Sequence, residues 1–497
     1  MKRIGIIGGG IAGLSAAYTL EKQRRAGAEL EYVLFERADR LGGVLVTDHA
    51  DGCIIEAGPD SFITEKPWAA ALARELGLGD QIIGSNDADR KTFIVVNNRL
   101  VELPDGLMFM VPTKILPTLF SPLFSIRTKL RMAQEFFHAP HKANGDESVA
   151  AMVERHFGAE MVDRLADPLL SGIYGGECRD LSVRAVLPRF VEMEAKHGSL
   201  TRAMLDARRR MASMSKGKPK PPLFSSMKEG MQQLVDALVA NIDQRSIRTG
   251  FEVERVSLTY EGSGSAEAHP HGARTDADSS RLWEIVGCHG SRETFDSVIL
   301  STPAHIMSRL LDHSHAELAF ELGGIHYSSS VTCSLIYDKR DLARKDRGFG
   351  FLVPRSENRR MLACTFVHNK FPHRAPADKA IVRTFLGGAA DEEVLNWSDE
   401  QIVSTIRREM GEILGLNAEP RDVRLYRWRR CMAQPSPGHL ERIARIDALR
   451  QKLPGLALAG NAFHGIGVPD CVRTGTQAAE QVGVAHRSAP ATPVRER

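Results

Sequence analysis

Apolar residues in this chain fall into short runs separated by glycine, proline and charged clusters, and the runs differ in period. Residues 3–8 read as a short buried strand and the glycines after them as a tight turn. Ala12 to about Arg25 reads as a helix and Tyr32–Glu36 as a second strand, so the chain opens with a βαβ unit. From Pro104 to about Ala212 helical periods dominate. Phe251–Tyr260 and Arg281–Gly287 alternate like the strands of a hairpin, and the polar, Gly/Ser-rich stretch 261–280 between them reads as a solvated loop. Ser297–Leu300 predicts another strand. Four apolar runs at 331–338, 349–354, 361–367 and 380–388 predict a sheet, and the charged stretch 391–418 a helix. A strand at 456–460 leads into a second glycine-rich turn and a closing helix, and no repeat of fixed period is visible.

At 497 residues the chain exceeds the roughly 250–300 at which a single core stops growing. Hydrophobic residues at 43% and charged residues at 26% are ordinary for a globular protein, which excludes wholesale disorder. A net charge of +3 supplies no broad basic field, so nucleic acid is not an expected partner. The seven cysteines are widely spaced and never form a C-x-x-C pair, which argues against a disulfide framework or zinc cluster and for a reducing cytoplasm. The opening Met-Lys-Arg and its apolar run are followed by no cleavage-site pattern, so secretion is not expected. The apolar stretch 107–126 is broken by Pro112, Pro117 and Pro122 and carries Lys114, which argues against a membrane span. It reads as buried lining of a domain or as a surface patch that meets lipid, so peripheral contact with the inner face of a membrane stays open.

Gly8, Gly10 and Gly13 follow a strand and open a helix, the context that gives this spacing its meaning. The first glycine permits the tight turn, the second lets backbone N–H groups approach a pyrophosphate, and the third lets helix and strand pack closely. Glu36 at the end of the second strand suits a ribose diol and repels a 2′-phosphate, which favours FAD or NAD over NADP.

Arg40-Leu41-Gly42-Gly43, placed directly after the acidic strand, resembles the second glycine pair of the flavin-dependent amine oxidase superfamily. Val44 stands where that superfamily usually has a basic residue, which leaves Arg40 as the positive group near the phosphates. Phe251–Glu254 resembles the superfamily's strand whose valine, Val253 here, contacts adenine through its backbone, and 458–482 resembles its closing FAD motif. The resemblance implies noncovalent FAD held by these residues with Gly58, Gly460, Val468 and Pro469, Cys471 taking no part in a covalent link. The expected fold is α/β: a GxGxxG-type, Rossmann-like FAD-binding domain in three pieces (1–85, 221–305 and 436–485). A mixed α+β substrate domain (86–103 and 306–435), a helical domain facing substrate or membrane (104–220) and a flexible tail (486–497) complete it.

Glu56–Ser61, Asp167–Gly176, Ser226–Gln232, Gly348–Pro354 and Gly467–Cys471, in this order, resemble the porphyrinogen oxidases of haem biosynthesis within that superfamily. The resemblance implies that Leu169, Gly172, Phe349, Gly350, Leu352 and Phe385 line a pocket for a large macrocycle, with Asp60 at the substrate. The related enzymes often hold a propionate with an arginine just before a strand. Here the basic residues are displaced to Arg90 and Lys91, with Arg99 nearby; one of the three is an expected carboxylate anchor, and a solvated charge cluster is the alternative. The implied chemistry passes a hydride from a porphyrinogen meso carbon to flavin N5 and then two electrons to O2, three times over. No catalytic side chain and no metal are expected, since no Ser/His/Asp, Cys/His or H-E-x-x-H constellation is present. His368, His373 and His464 read as structural or surface histidines. An amine oxidase or carotenoid desaturase of the same superfamily, or a binding protein that keeps the fold, are the competing readings. The basic cluster at 90–99 tilts the substrate toward coproporphyrinogen III over protoporphyrinogen IX. The oligomeric state is not readable.

Overall fold

The computed structural model describes residues 1–108, 110–141, 145–214, 221–260, 281–342 and 345–483. The expected loop at 261–280 and tail at 486–497 lie outside the described residues.

The opening strand Lys2–Ile7 lies at the centre of a five-stranded parallel sheet, ordered Ile247–Arg248, Leu30–Phe35, Lys2–Ile7, Ser297–Leu300, Leu456–Leu458. Both faces are covered, which is why these strands read as continuous apolar runs. Ile4, Ile6, Leu34 and Ile299 pack under the helices Ile11–Arg25 and Val468–Val482. Ile7, Phe35, Val298 and Leu300 face the antiparallel sheet Val253–Tyr260, Arg281–Gly287, Arg292–Phe295, whose first two strands form the expected hairpin pairing. The helices Ala304–Leu311 and Ala316–Gly323 pack into this second core through Met307, Leu310 and Leu318. The boundary expected at 305–306 therefore falls inside a helix, and 304–323 shares its core with the nucleotide-side sheets.

A seven-stranded sheet forms the second body, ordered Asp422–Gln434, His326–Asp338, Lys379–Gly387, Met361–Phe366, Gly350–Leu352, Thr92–Val96, Arg99–Glu102. Only Gly350–Leu352 and Thr92–Val96 pair in parallel. One face is sealed by the helix Asp399–Leu414, whose Ile402, Ile406 and Met410 pack on Phe93, Phe351, Cys364 and Cys333. A capping box between Ser398 and Gln401 starts that helix, so the expected span 391–418 shortens at both ends. On the opposite face, strand register aligns Ile94, Leu352, Ala363, Phe385, Thr332 and Tyr426 in one lateral row. The strand Asp422–Gln434 was not among the expected elements.

The helical body packs around Val149, Met152, Phe157, Leu165 and Leu170. The stretch 107–126 splits into a two-stranded bridge and the short helix Ile115–Phe120. Met110, Val111, Leu123 and Phe124 are buried, as a domain lining would be, but Leu116, Leu119 and Phe120 face outward. Ile126, Leu130 and Phe137 extend this outward apolar face. No helix among the described residues is long and apolar enough to cross a membrane.

Candidate active site

The glycine turn explains its own sequence. Gly8 has φ +108°, and a Cβ on Gly13 would overlap the Gly8 carbonyl oxygen, so both positions exclude side chains for backbone reasons. A Cβ on Gly10 would meet nothing within 4 Å, which leaves open space at the start of the helix Ile11–Arg25. Glu36 reaches back into this turn, its Oε2 accepting the Gly9 N–H at 2.6 Å. Gly42 donates its N–H to the Gly9 carbonyl at 2.8 Å, so the second glycine pair rests on the first. Arg40 wraps this junction, donating to the carbonyls of Gly43 (2.5 Å) and Leu41 (3.2 Å). Beside Gly8, the buried Thr302 hydroxyl has no hydrogen-bond partner among the described residues. An open glycine cap, an uncapped helix end and an orphaned hydroxyl are features that a bound dinucleotide would satisfy. Val253 begins its strand and is buried, two residues after Phe251, whose N–H donates to the Glu36 carbonyl, and just before the register shift between Val253 and Arg255.

The closing motif converges on the same place. Gly460 has φ +122° and donates its N–H to Thr474 at 3.1 Å. Val468 and Pro469 form the first turn of Val468–Val482, whose Gly467 cap has no side-chain hydrogen bond. That helix crosses Ile11–Arg25 so closely that a Cβ on Gly475 would overlap the Ala12 carbonyl, a contact that sequence reading did not single out. Burial pushes the Cys471 thiol up to about 12. The segment 57–60 lies against the seven-stranded sheet. Thr332 and Trp428 donate to the Ala57 carbonyl at 2.7 and 2.9 Å, and Arg383 donates to the Gly58 carbonyl. Lys66 and Asp470, 2.6 Å apart, tie the continuation of this segment to the closing helix.

Of the expected pocket residues, Leu352 and Phe385 share the lateral row, and Gly172 lies against Leu352, its Cβ position 3.7 Å from that Cδ2. Leu169 packs in the same core margin as Leu352. Gly350 has φ +140° and no room for a Cβ against the Cys364 carbonyl, so strand geometry alone demands glycine there. Phe349 is buried and donates its N–H to the Lys91 carbonyl at 2.8 Å. Asp60 is 3.0 Å from Lys370, and the charges of Lys370 and Arg383 overcome burial to hold its carboxyl well below the usual range.

Arg90 and Lys91, the expected anchors, are spent elsewhere. Arg90 pairs with Asp87 at 3.6 Å and Lys91 with Glu102 at 2.9 Å, both on the exposed rim. A cavity of about 380 Å³ nearby is lined by Val95, Glu160, Asp163, Arg164 and Glu357 and by none of the expected pocket residues. His368 accepts the Ile381 N–H and donates to Asp346, His373 donates to the Lys228 carbonyl, and His464 is exposed. Glu135, His138 and His156 bring one ligand atom each within 4.8 Å. Glu135 there already accepts from Leu200, Ser199, Thr201 and His156, as a helix cap does.

A model of the flavin-containing amine oxidoreductase family matches residues 11–483. Among curated proteins the chain is 32% identical to coproporphyrinogen III oxidase of Bacillus subtilis, over 96% of this chain and 97% of that one. It is 28% identical to coproporphyrinogen III oxidase of Staphylococcus aureus, over 97% and 99%. A solved structure from Exiguobacterium sp. 255-15, provisionally named a protoporphyrinogen oxidase, superposes with TM-score 0.82 at 29% identity, covering 97% of this chain and 98% of that one.

Proposed function

The chain belongs to the flavin-containing amine oxidoreductase family, and from that premise we propose that it oxidises a porphyrinogen to a porphyrin with FAD and O2, coproporphyrinogen III being the preferred substrate. The observation that carries this reading is the full-length likeness to a coproporphyrinogen III oxidase, spanning both the nucleotide cradle and the substrate sheet.

Bound FAD supplies the hydride acceptor and the route for electrons to O2. The chain's own part is binding and orientation. The glycine turn and Glu36 take the adenosine diphosphate half, Arg40 backs the phosphate side, and the first turn of Val468–Val482 faces the isoalloxazine end with its N–H groups and positive dipole. Leu352 and Phe385, with Gly172 against Leu352 and Leu169 in the same margin, offer apolar surface for a macrocycle.

The test is direct. Yellow holoprotein mixed aerobically with coproporphyrinogen III and, in parallel, with protoporphyrinogen IX is expected to generate porphyrin fluorescence at an enzyme-dependent rate, faster with the first. Fluorescence from neither, with FAD bound, would overturn the reading; flavin bleaching by a primary or secondary amine would replace it with an amine oxidase.

The location is proposed on one further observation. Leu116, Phe120, Ile126, Leu130 and Phe137 form an exposed apolar face, and Arg127 and Lys129 on the same helix have no ion-pair partner among the described residues. Apolar side chains flanked by unpaired cations suit the surface of an anionic bilayer, entered without crossing it.

A further inference from the structure

Five ionisable side chains converge, almost without solvent, beneath the segment 56–60. Arg374 donates to Glu56 at 2.7 Å and to the Ser226 hydroxyl at 2.8 Å, and that hydroxyl donates to the Asp60 carbonyl. Glu56 also accepts the Met231 N–H and the Thr47 hydroxyl, donors that favour its ionised form against the burial that pushes its pKa up. Lys370 donates to both oxygens of Asp60 at 3.0 Å. These bonds pair Glu56 with Arg374 and Asp60 with Lys370. Arg383 is left over, 3.8 Å from the already engaged Asp60 and 4% exposed, with its Nε lacking a partner among the described residues. Its guanidinium lies 4.8 Å over the Phe385 ring and bonds the Gly58 carbonyl. Counting formal charges, the cluster holds three cations and two anions.

A surplus buried cation is costly unless an anion comes near it. Oxidation of the substrate supplies one. A C–H bond of the porphyrinogen breaks, its electron pair and proton pass to the flavin, and a pyrrole proton leaves to water. The flavin would thereby gain one negative charge, discharged when O2 takes the two electrons and, with the proton carried over from the C–H bond and one from solvent, becomes peroxide. Arg383 stands between the Gly58 carbonyl, expected at the cofactor, and the Phe385 ring of the lateral row.

We infer that Arg383 tunes the redox step, its uncompensated charge favouring the reduced state of the bound flavin without contacting the substrate. The inference rests on Gly58 bordering the cofactor, and it needs no porphyrinogen, so its test stands apart from the substrate assignment.

The experiment is a charge ladder in holoprotein, read as the flavin midpoint potential and as the affinity for sulfite, which adds to oxidised flavin as an anion. Arg383→Met and Lys370→Met each bring the cluster from +1 to 0 by different routes. Both are expected to weaken sulfite binding tenfold or more and to lower the potential by about 30 mV, the tenfold equivalent for a two-electron couple. Arg383→Lys keeps the charge and should stay within threefold of the parent. Asp60→Asn raises the cluster to +2 and should shift both readouts the opposite way, which loss of packing would not do. A potential that falls in all four variants, or moves in none, overturns the inference. So does an unchanged potential with a raised KM for the carboxylate-bearing substrate, which would make Arg383 a substrate anchor.

Discussion

Glu36 and Gly9 are joined by a 2.6 Å hydrogen bond, carboxylate oxygen to backbone N–H, across the mouth of the glycine turn, and the second carboxylate oxygen holds the Ala38 N–H at 2.8 Å. One side chain thus shapes the turn and the loop after the second strand while presenting its charge where a ribose would lie. Glu36→Ala is expected to weaken FAD binding tenfold or more, since a hydrogen bond to a charged group contributes roughly 1.5–3 kcal/mol. Flavin released on gel filtration or dilution measures it, and unchanged occupancy would remove Glu36 from the site.

Two glycines of the expected pocket separate into different kinds. At Gly350 a methyl group meets the Cys364 carbonyl and φ is positive, so Gly350→Ala should lower the melting temperature by several degrees, whether or not substrate is present. At Gly172 the added methyl makes only an ordinary contact with Leu352. Gly172→Ala should leave the melting temperature within about a degree and reduce kcat/KM for the bulky macrocycle. Equal destabilisation by both would place Gly172 in the packing, not in the pocket.

His156 is held between Glu135 and Glu194, its two ring nitrogens 3.0 and 2.9 Å from their oxygens. Burial disfavours the charged ring, but the two carboxylates outweigh it and raise the His156 pKa above its ordinary value. A raised pKa stabilises the fold fully below the unfolded value, near 6.5, and that stabilisation is lost as pH climbs through the folded one. Melting temperature should therefore decline from about pH 6.5 upward, and His156→Gln should flatten that slope. An unchanged slope would show that the ring does not titrate in this range.

The outward face of Ile115–Phe120 and Ile126–Glu135 gives a sedimentation test. Phe120→Glu with Phe137→Glu should abolish binding to vesicles containing anionic lipid and leave the melting temperature nearly unchanged, because both rings are about 80% exposed. Vesicle binding equal to that of the parent would remove this face from consideration.

What could be read in the chain without coordinates was set by how local its cause is. The strand, glycine turn and helix were legible because Gly8 answers to its own positive φ and Gly13 to the Gly8 carbonyl a few residues before it. The row Leu352–Ala363–Phe385–Thr332 was not, since it depends on the register of four strands distant in sequence. The strand Asp422–Gln434 went unseen because its arginines, partly exposed and engaged by Asp48, Asp399 and Asp422, mask its alternation. The stretch 107–126 showed apolar composition but not which half of it faces the core. The basic residues at 90–91 resemble anchors in sequence, yet Arg90 meets Asp87, three residues before it, and Lys91 meets Glu102 at the end of the neighbouring strand. Arg383 left the opposite trace, a single charge inside an apolar run, and it was read as part of the strand.

The five parallel strands under the glycine turn come from the beginning, middle and end of the chain, with Leu456–Leu458 and the helix behind it last. On the ribosome, the Gly8 turn therefore emerges some 460 residues before the helix whose Gly475 packs on Ala12, just beyond that turn. The unfinished sheet must wait with its Ser297–Leu300 edge open, a template for wrong pairing. For this topology, translation order makes the helix Val468–Val482, synthesised after all five strands, the latch that closes an otherwise aggregation-prone intermediate.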